Sequence, residues 1–160
     1  MSRFFSIYWR RGFTLIELLV VMAVIAILAS LIIVAINPAK QFADARNAQR
    51  MSDVRVLLNA IAQYAVDSNG TFPSVIPSIS DCATAVGNEV CRSAGAACVG
   101  YVDLSVLTAN QKYIVLMPID PLIVNASSNG AGYRVGRNAN GRITVCAPLA
   151  ERGLTISVTQ

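Results

Sequence analysis

The sequence predicts an α+β protein, in which a long N-terminal helix packs through its second half against a small C-terminal antiparallel sheet. Three observations predict this class. An apolar run fills residues 13–36, helical periodicity follows over residues 40–67, and short segments between Gly132 and Val158 alternate with period two. The 160 residues divide into four segments, which are 1–12, 13–36, 37–70 and 71–160.

The composition restricts the class of protein. Hydrophobic residues make up 54% of the chain and charged residues 14%, with a mean hydropathy of +0.54. A disordered chain would be less apolar and more charged. Histidine is absent, which excludes Ser-His-Asp and Cys-His catalytic sites and histidine-based metal sites.

The first half of the long helix is predicted to cross a membrane. Only Thr14, Glu17 and Ser30 are polar within residues 13–36. A helix of this length spans about 36 Å, and a hydrocarbon core is about 30 Å thick. A buried helix of a soluble protein is the alternative, but such helices are rarely this long or apolar on every side.

Basic residues at the N-terminus predict the orientation. Residues 1–12 contain Arg3, Arg10 and Arg11 and no acidic residue. Basic flanks stay on the cytoplasmic side, so the chain should enter the membrane with its N-terminus in the cytoplasm. A cleaved secretory signal is the competing interpretation. Its apolar core would be about 7–15 residues long and would end in a small-residue cleavage site, which residues 34–38 match poorly.

Glu17 is an isolated carboxylate inside the apolar run. A charge at this place is costly and is therefore a functional hypothesis by default. No basic residue of the run can pair with it. Its position five residues after Gly12 keeps it near the interface, which lowers the cost without explaining the carboxylate. We expect its partner to come from outside the chain.

Residues 10–21 read RRGFTLIELLVV, which resembles the N-terminal signature of type IV pilins and of the pseudopilins of type II secretion. The pattern is a basic leader, a glycine, a phenylalanine that is N-methylated in the family, and a glutamate five residues into the mature chain. The resemblance is strong over residues 10–37 and moderate to about Pro73. Beyond Pro73, only the predicted arrangement of helices and strands is similar. It implies a pilin-like fold.

The resemblance also implies roles for three residues. A membrane-embedded prepilin peptidase would cleave between Gly12 and Phe13 on the cytoplasmic side, and glycine offers no side chain to obstruct it. Phe13 would then carry the new α-amino group and would be methylated there. Glu17 would pair with that cationic nitrogen of a neighbouring subunit during assembly, so that the buried pair sets the register of the filament.

The function implied by the resemblance is that of a structural subunit of a type IV pilus-like filament, grown by a repeated heterologous contact. The precursor would be a single-pass inner-membrane protein that is handed to a pilus or secretion assembly platform, and the mature chain would lie in a cell-surface pilus. The cysteines and the irregular Ser- and Gly-rich stretch 78–100 favour this interpretation. The alternatives are a pseudopilin of a type II secretion system, in a periplasmic or extracellular pseudopilus, and a monomeric membrane-anchored binding module. An enzyme is not expected, since residues 71–160 contain no nucleophile–base pair or clustered acids.

Residues 37–70 predict either a second helix or a kinked continuation of the first. Asn37 and Pro38 suit the cap and first position of a helix, and Asn69 or Gly70 suits a left-handed cap at its end. Spacings of three and four residues predict one buried stripe, formed by Met51, Val54, Leu57, Leu58, Ile61, Tyr64 and Ala65. The charges around this stripe are interpreted as a solvated face: Lys40, Asp44, Arg46, Arg50, Asp53 and Arg55.

Residues 71–160 predict a sheet. The segments 132–137 and 142–146 alternate in polarity and flank Asn140-Gly141, which is a strong hairpin signal. Residues 153–158 predict a third strand, 118–121 a turn, and 113–117 a short helix or strand.

The cysteines predict disulfides. On the expected orientation, Cys82, Cys91, Cys98 and Cys146 all lie on the oxidising side of the membrane. The chain contains no C-x-x-C, which argues against zinc, and four cysteines allow three pairings. Three of them fall in one loop-like region, so at least one bridge should close a short loop, and Cys146 could pin that loop to a strand.

No cofactor, metal or nucleic acid is predicted as a partner. The scattered acids Asp81, Asp103 and Asp120 lack the spacing of a calcium loop. The resemblance leaves one alternative, a calcium site assembled from distant loops, as in some pseudopilins. The net charge of +4 includes three arginines of residues 1–12, so that ten basic and nine acidic residues remain. The excess of basic residues therefore mainly reflects the orientation of the chain in the membrane.

Overall fold

The computed structural model describes residues 12–79, 81–85, 87–92, 97–123 and 129–160, with the side chains of residues 34 and 35 excepted. The chain forms two compact units that divide after Gln41. The predicted α+β class is confirmed, because a long apolar helix and a second helix precede a small antiparallel sheet.

The N-terminal helices meet at an asparagine. Helix α1 spans Leu15–Ile36 and helix α2 spans Pro38–Asp67. Asn37 between them adopts the left-handed conformation, with φ of 50°. Its side-chain oxygen accepts a hydrogen bond from the Lys40 amide at 3.3 Å, so that it caps α2. Of the two predicted alternatives, the structure has a second helix that begins at the proline.

Helix α2 ends where the sequence places its stop signal. Both Asn69 and Gly70 have positive φ, at 54° and 82°. The Gly70 amide donates to the carbonyl of Ala65 at 2.7 Å, which satisfies one of the last carbonyl groups of the helix. The predicted left-handed cap is therefore confirmed and involves both residues.

The sheet has four antiparallel strands in sequence order. Strand β1 is Glu89–Cys91, β2 is Gly130–Arg137, β3 is Ile143–Ala147 and β4 is Ile156–Thr159. The predicted hairpin joins β2 to β3, with Arg137 opposite Ile143 and Gly141 at φ of 80° in the turn. The sequence missed β1, which is short and pairs with β2 in an irregular register.

The prediction for residues 113–117 is wrong, since the segment is neither helix nor strand. A short helix α3 over Ser105–Thr108 and a 3₁₀ turn over Ala109–Gln111 precede it. Met117 is buried, and Tyr113 and Ile114 pack against the core. Val115 and Leu116, which lie between Ile114 and Met117, are exposed. These inward spacings of three and four residues would suit a helix. However, Asn110 and Gln111 shortly before the segment have positive φ, at 52° and 56°, which a right-handed helix does not continue through.

One hydrophobic core joins α2 to the sheet. The predicted stripe is confirmed, since Val54, Leu57, Leu58, Ile61 and Ala65 are buried, while Met51 and Tyr64 are partly buried. The stripe shares its core with sheet residues, namely Ala131, Tyr133, Val135, Ile143 and Val145.

The loop before β1 covers the sheet at Gly136. A methyl group added to that glycine would come within 1.9 Å of the Ile79 side chain, so any larger residue would require Ile79 to move.

The cysteines form two disulfides, which selects one of the three open pairings. Cys91 pairs with Cys98, seven residues apart, and Cys82 pairs with Cys146 on β3, 64 residues apart. The first bridge closes a short loop, and the second ties the segment before β1 to the sheet.

The long-range bridge should contribute more stability than the local one. In the chain-entropy model, removing Cys82–Cys146, whose residues are 64 apart in sequence, lowers the free energy of unfolding by about 4 kcal/mol. Removing Cys91–Cys98, whose residues are 7 apart, lowers it by about 2 kcal/mol. The free energy of unfolding in urea should therefore fall further in Cys82→Ala/Cys146→Ala than in Cys91→Ala/Cys98→Ala. An equal or reversed order would contradict this account.

Candidate assembly site

Helix α1 presents apolar side chains on all sides. Every large hydrophobic side chain that the structure describes in this helix is exposed, by between 49% and 78%. Within the described residues, Leu15–Ile33 is the one stretch that is long and apolar enough to cross a membrane. Apolar surface of this extent needs lipid or other apolar surface to cover it.

The first turn of α1 carries a helix cap formed by Thr14. Its hydroxyl accepts a hydrogen bond from the Glu17 amide at 3.2 Å, and its carbonyl accepts from Leu18 at 3.2 Å. Thr14 and Glu17 have the spacing of a capping box, and a carboxylate is favourable near the positive end of the helix dipole. The Glu17 carboxylate therefore lies in the first turn of a capped helix, a placement that sequence reasoning missed although the T-x-x-E pattern was visible.

Gly12 and Phe13 precede this capped turn. Both are exposed, and, the chain neighbours aside, no heavy atom of the described residues lies within 4 Å of where a Gly12 side chain would begin. The hydrogen bonds of the first turn begin at Thr14. The peptide bond between the two residues can therefore be cut without removing any of those bonds.

The interpretation of the six α2 charges as a solvated face is wrong for half of them, since Arg46, Arg50 and Asp53 are not exposed. Arg50 is completely buried, and Asp53 accepts a hydrogen bond from the Tyr133 hydroxyl at 2.6 Å. Asp44 binds Arg152 at 2.7 Å. These residues attach α2 to residues 71–160, which we call the head, because they lie beside the buried stripe and reach polar groups of the loops.

Arg50 lies at the centre of a buried polar cluster. Its guanidinium donates to both carboxylate oxygens of Asp120, at 2.7 Å and 3.0 Å, and both side chains are fully buried. It also donates to Asn47 at 2.9 Å and to Glu151 at 3.0 Å. Arg46 binds the same Glu151 carboxylate through two hydrogen bonds of 2.7 Å and 2.6 Å. The cluster fixes α2 to two separate loops of the head.

Acid is expected to destabilise the head between about pH 5 and about pH 2. Hydrogen bonds from Arg46 and then Arg50 lower the pKa of Glu151 to about 2. A carboxyl group with a lowered pKa contributes stability that is complete above its unfolded pKa of about 4.3 and is lost as the pH falls through its folded pKa. The melting temperature of the wild type should therefore fall more steeply across this window than that of Glu151→Gln. Parallel curves would contradict the role of this ion pair.

The acids considered for calcium have other partners. Asp81 binds Thr84 at 2.6 Å, Asp103 accepts from the Ser105 amide at 2.9 Å, and Asp120 binds Arg50. Within the part of the chain that the structure describes, no group of three cysteine, aspartate or glutamate residues is placed to hold a metal ion.

The comparison with family models concerns the N-terminal part of the chain. Residues 10–33 match the family model of the prokaryotic N-terminal methylation motif. The predicted resemblance to pilins and pseudopilins is thereby confirmed. The motif and the apolar helix fit a membrane-anchored precursor.

The chain is also similar to type II secretion system core protein G of three bacteria. It is 39% identical over 67 residues to the protein of Pectobacterium carotovorum subsp. carotovorum, which covers 42% of this chain and 41% of the relative. The protein of Escherichia coli strain K12 is 40% identical over 60 residues, which covers 38% and 40%. That of Aeromonas hydrophila is 41% identical over 58 residues, which covers 36% and 39%.

The matched segment thus spans about two fifths of the length of the curated relatives. No solved structure is significantly similar to the chain. The likeness to these relatives therefore concerns about two fifths of the chain, and it leaves the function of the whole protein to be argued from the structure.

Proposed function

We propose that this protein is a non-enzymatic structural subunit of a type IV pilus-like filament, assembled through α1. The observation that carries the proposal is a capped helix with uncovered apolar surface, placed two residues after the glycine of a methylation motif. An apolar helix of this kind can lie in a membrane before assembly and against the same helix of other subunits afterwards. The head then stays outside the apolar layer.

The processing steps of this proposal involve Gly12 and Phe13. A prepilin peptidase cleaves between them on the cytoplasmic side, since the basic residues 3, 10 and 11 keep the leader there. The new α-amino group of Phe13 is methylated. The exposure of both residues ahead of the capped turn supports a cleavage that leaves α1 intact.

Glu17 is proposed to recognise the cationic α-amino group of Phe13 in a neighbouring subunit. The carboxylate lies in the first turn of α1, four residues after Phe13. Two charges in an apolar core are tolerated only when they pair well, so this contact selects one axial register between neighbouring helices. Self-assembly and delivery to an assembly platform in the inner membrane are parts of the same proposal.

A pseudopilus is the second candidate, favoured by the similarity to core protein G of type II secretion systems. The two candidates place the filament differently. A pilus projects from the cell surface, whereas a pseudopilus is short and serves secretion. Both use the same N-terminal segment, so the location of the filament decides between them.

Electron microscopy of the native host, with and without the gene, tests the proposal. Surface fibres that disappear with the gene, and from which shearing releases this chain, support the pilus. Loss of protein secretion with no surface fibres supports the pseudopilus. A chain that stays monomeric in the membrane while fibres and secretion remain unchanged contradicts both.

A further inference from the structure

Strand β4 forms one edge of the sheet, and its outer side is unpaired. Ile143 and Gln160 exchange two backbone hydrogen bonds of 3.0 Å each. Hydrogen-bonded pairs alternate with non-hydrogen-bonded pairs along an antiparallel ladder, so the backbone amides and carbonyls of Ser157 and Thr159 point away from β3. Among the residues that the structure describes, none bonds to these outward backbone groups.

This edge lacks the features that ordinarily prevent the addition of another strand. Natural edge strands are usually protected by a proline, a bulge or a charged side chain. Residues 154–160 read LTISVTQ and contain neither proline nor charge. The pairing of β4 with β3 is regular from Ile156 to Thr159, so no bulge turns the edge away. An extended peptide can therefore form backbone hydrogen bonds along β4.

An apolar groove adjoins one end of this edge, where Ile143 and Gln160 form the last pair of the ladder. It has a volume of about 200 Å³. Its walls include Leu58, Ala62, Val66, Phe72, Ile143 and Gln160. A dry cavity of about 150 Å³ is large enough for a benzene molecule, so the groove can hold the side chain of one leucine or phenylalanine.

The two faces of β4 define which side chains an added strand should carry. Ile156 is buried and Val158 is partly buried against the core, whereas Ser157 and Thr159 are exposed. Side chains of neighbouring strands lie side by side on the same face of a sheet. The added strand therefore needs apolar side chains beside Val158 and the groove, and small polar side chains beside Ser157 and Thr159.

The donor of this strand is unlike a second copy of the chain. In a filament grown by a heterologous contact, each surface meets a different surface of the next copy, so β4 does not meet β4. The opposite edge of the sheet is already engaged, since the Cys91 amide donates to Val102 at 2.9 Å and the Val102 amide donates to Glu89 at 2.8 Å. Of the strands that the structure describes, none is left to serve as the donor.

We propose that the free edge of β4 binds an extended, uncharged segment of another polypeptide as a fifth strand, with one apolar side chain in the groove. The inference goes beyond the proposed function, and only the exclusion of a second copy rests on it. Backbone hydrogen bonds to Ser157 and Thr159 supply affinity, and the groove selects the side chain.

Binding of a synthetic peptide to the detergent-solubilised full-length chain tests this site. The probe is acetyl-KTVTLSVTK-amide, in which apolar and small polar residues alternate and the terminal lysines limit self-association. We expect saturable binding in fluorescence anisotropy and slower hydrogen exchange of the Ser157 and Thr159 amides. A probe with alanine in place of its leucine should bind about tenfold more weakly, because it leaves the groove unfilled.

N-methylation of the probe tests the backbone hydrogen bonds without changing the protein. Only alternate amides of an added strand face β4. Of two probes that are N-methylated at alternate sets of amides, one should therefore bind about tenfold more weakly than the other.

Ser157→Pro and Ser157→Ala provide the matched pair of variants. Proline removes the outward amide of residue 157 and is tolerated on edge strands where that amide faces solvent. Ser157→Pro should weaken probe binding about tenfold or more, whereas Ser157→Ala keeps the amide and should bind like the wild type.

Three results overturn the inference: no saturable binding of the probe, equal binding of the two N-methylated probes, or a chain that dimerises and loses its dimer in Ser157→Pro. In the last case β4 serves a second copy. Filaments from a chain that does not bind the probe retain the proposed function and overturn the edge site. Probe binding by a chain whose host makes neither fibres nor a functional secretion system retains the edge site and overturns the proposed function.

Discussion

Replacement of Glu17 by alanine is expected to leave the precursor in the membrane and to abolish filaments. The substitution removes the only acidic group of the apolar segment, so insertion becomes more favourable. Assembly should nevertheless fail, because the cationic α-amino group of a neighbouring Phe13 would be buried without its partner. The amounts of chain in the membrane and in the shear fraction measure the two effects separately.

Thr14→Ala is the matched control for this experiment. Thr14 and Glu17 both belong to the first turn of α1, and the Thr14 hydroxyl caps it. Loss of that cap costs about 1 kcal/mol of helix stability but removes no charge. If Glu17 acts through intersubunit pairing, Thr14→Ala cells still make filaments. Normal filaments from Glu17→Ala, or equal loss from both variants, would contradict the pairing role.

Replacement of Arg50 by methionine should destabilise the head by about 3–5 kcal/mol, which is the cost of breaking a buried ion pair. The variant leaves the fully buried carboxylate of Asp120 without its cation. It also removes one of the two guanidinium groups that bind Glu151. Urea unfolding of the detergent-solubilised full-length chain, followed by circular dichroism, measures the loss.

Two variants isolate the buried pair. Arg55→Met removes an exposed charge from the same helix and should change the free energy of unfolding by less than about 0.5 kcal/mol. Arg50→Met/Asp120→Leu removes both buried charges and should recover much of the stability, since an apolar pair of similar volume can replace a buried ion pair. A single variant as stable as the wild type would show that the pair does not hold α2 to the head.

The N-terminal helices were predictable because single residues determine their ends. Asn37 and Pro38 start α2, and Asn69 with Gly70 ends it, so the limits of the helix follow from local backbone chemistry. Strand β1 could not be predicted in this way. It has three residues and an irregular register, and it exists because β2 offers an edge to pair with.

The burial of Arg50 could have been predicted from its position in the sequence. Arg50 lies four residues before Val54 and therefore on the buried stripe itself. Its partner Asp120 is 70 residues away, and nothing in the spacing of the two residues indicates contact. The disulfide pairing likewise depends on how the loop before β1 lies across the sheet, which the spacing of cysteines does not determine.

The candidate site was predicted in part. The sequence identifies the Gly12–Phe13 bond and the isolated Glu17. Both the end of the basic segment and a single carboxylate in an apolar run can be recognised without knowing the structure. The cap that Thr14 provides also had a signal, the T-x-x-E pattern of residues 14–17, and the structure adds the hydrogen bond that forms it.

Mass spectrometry of the N-terminal peptide of the chain recovered from sheared filaments tests the central claim most directly. We expect the peptide to begin at Phe13 and to carry one additional methyl group on its α-amino nitrogen. A chain recovered from filaments with residues 1–12 still attached, or with an unmodified N-terminus elsewhere, would contradict processing and assembly through α1.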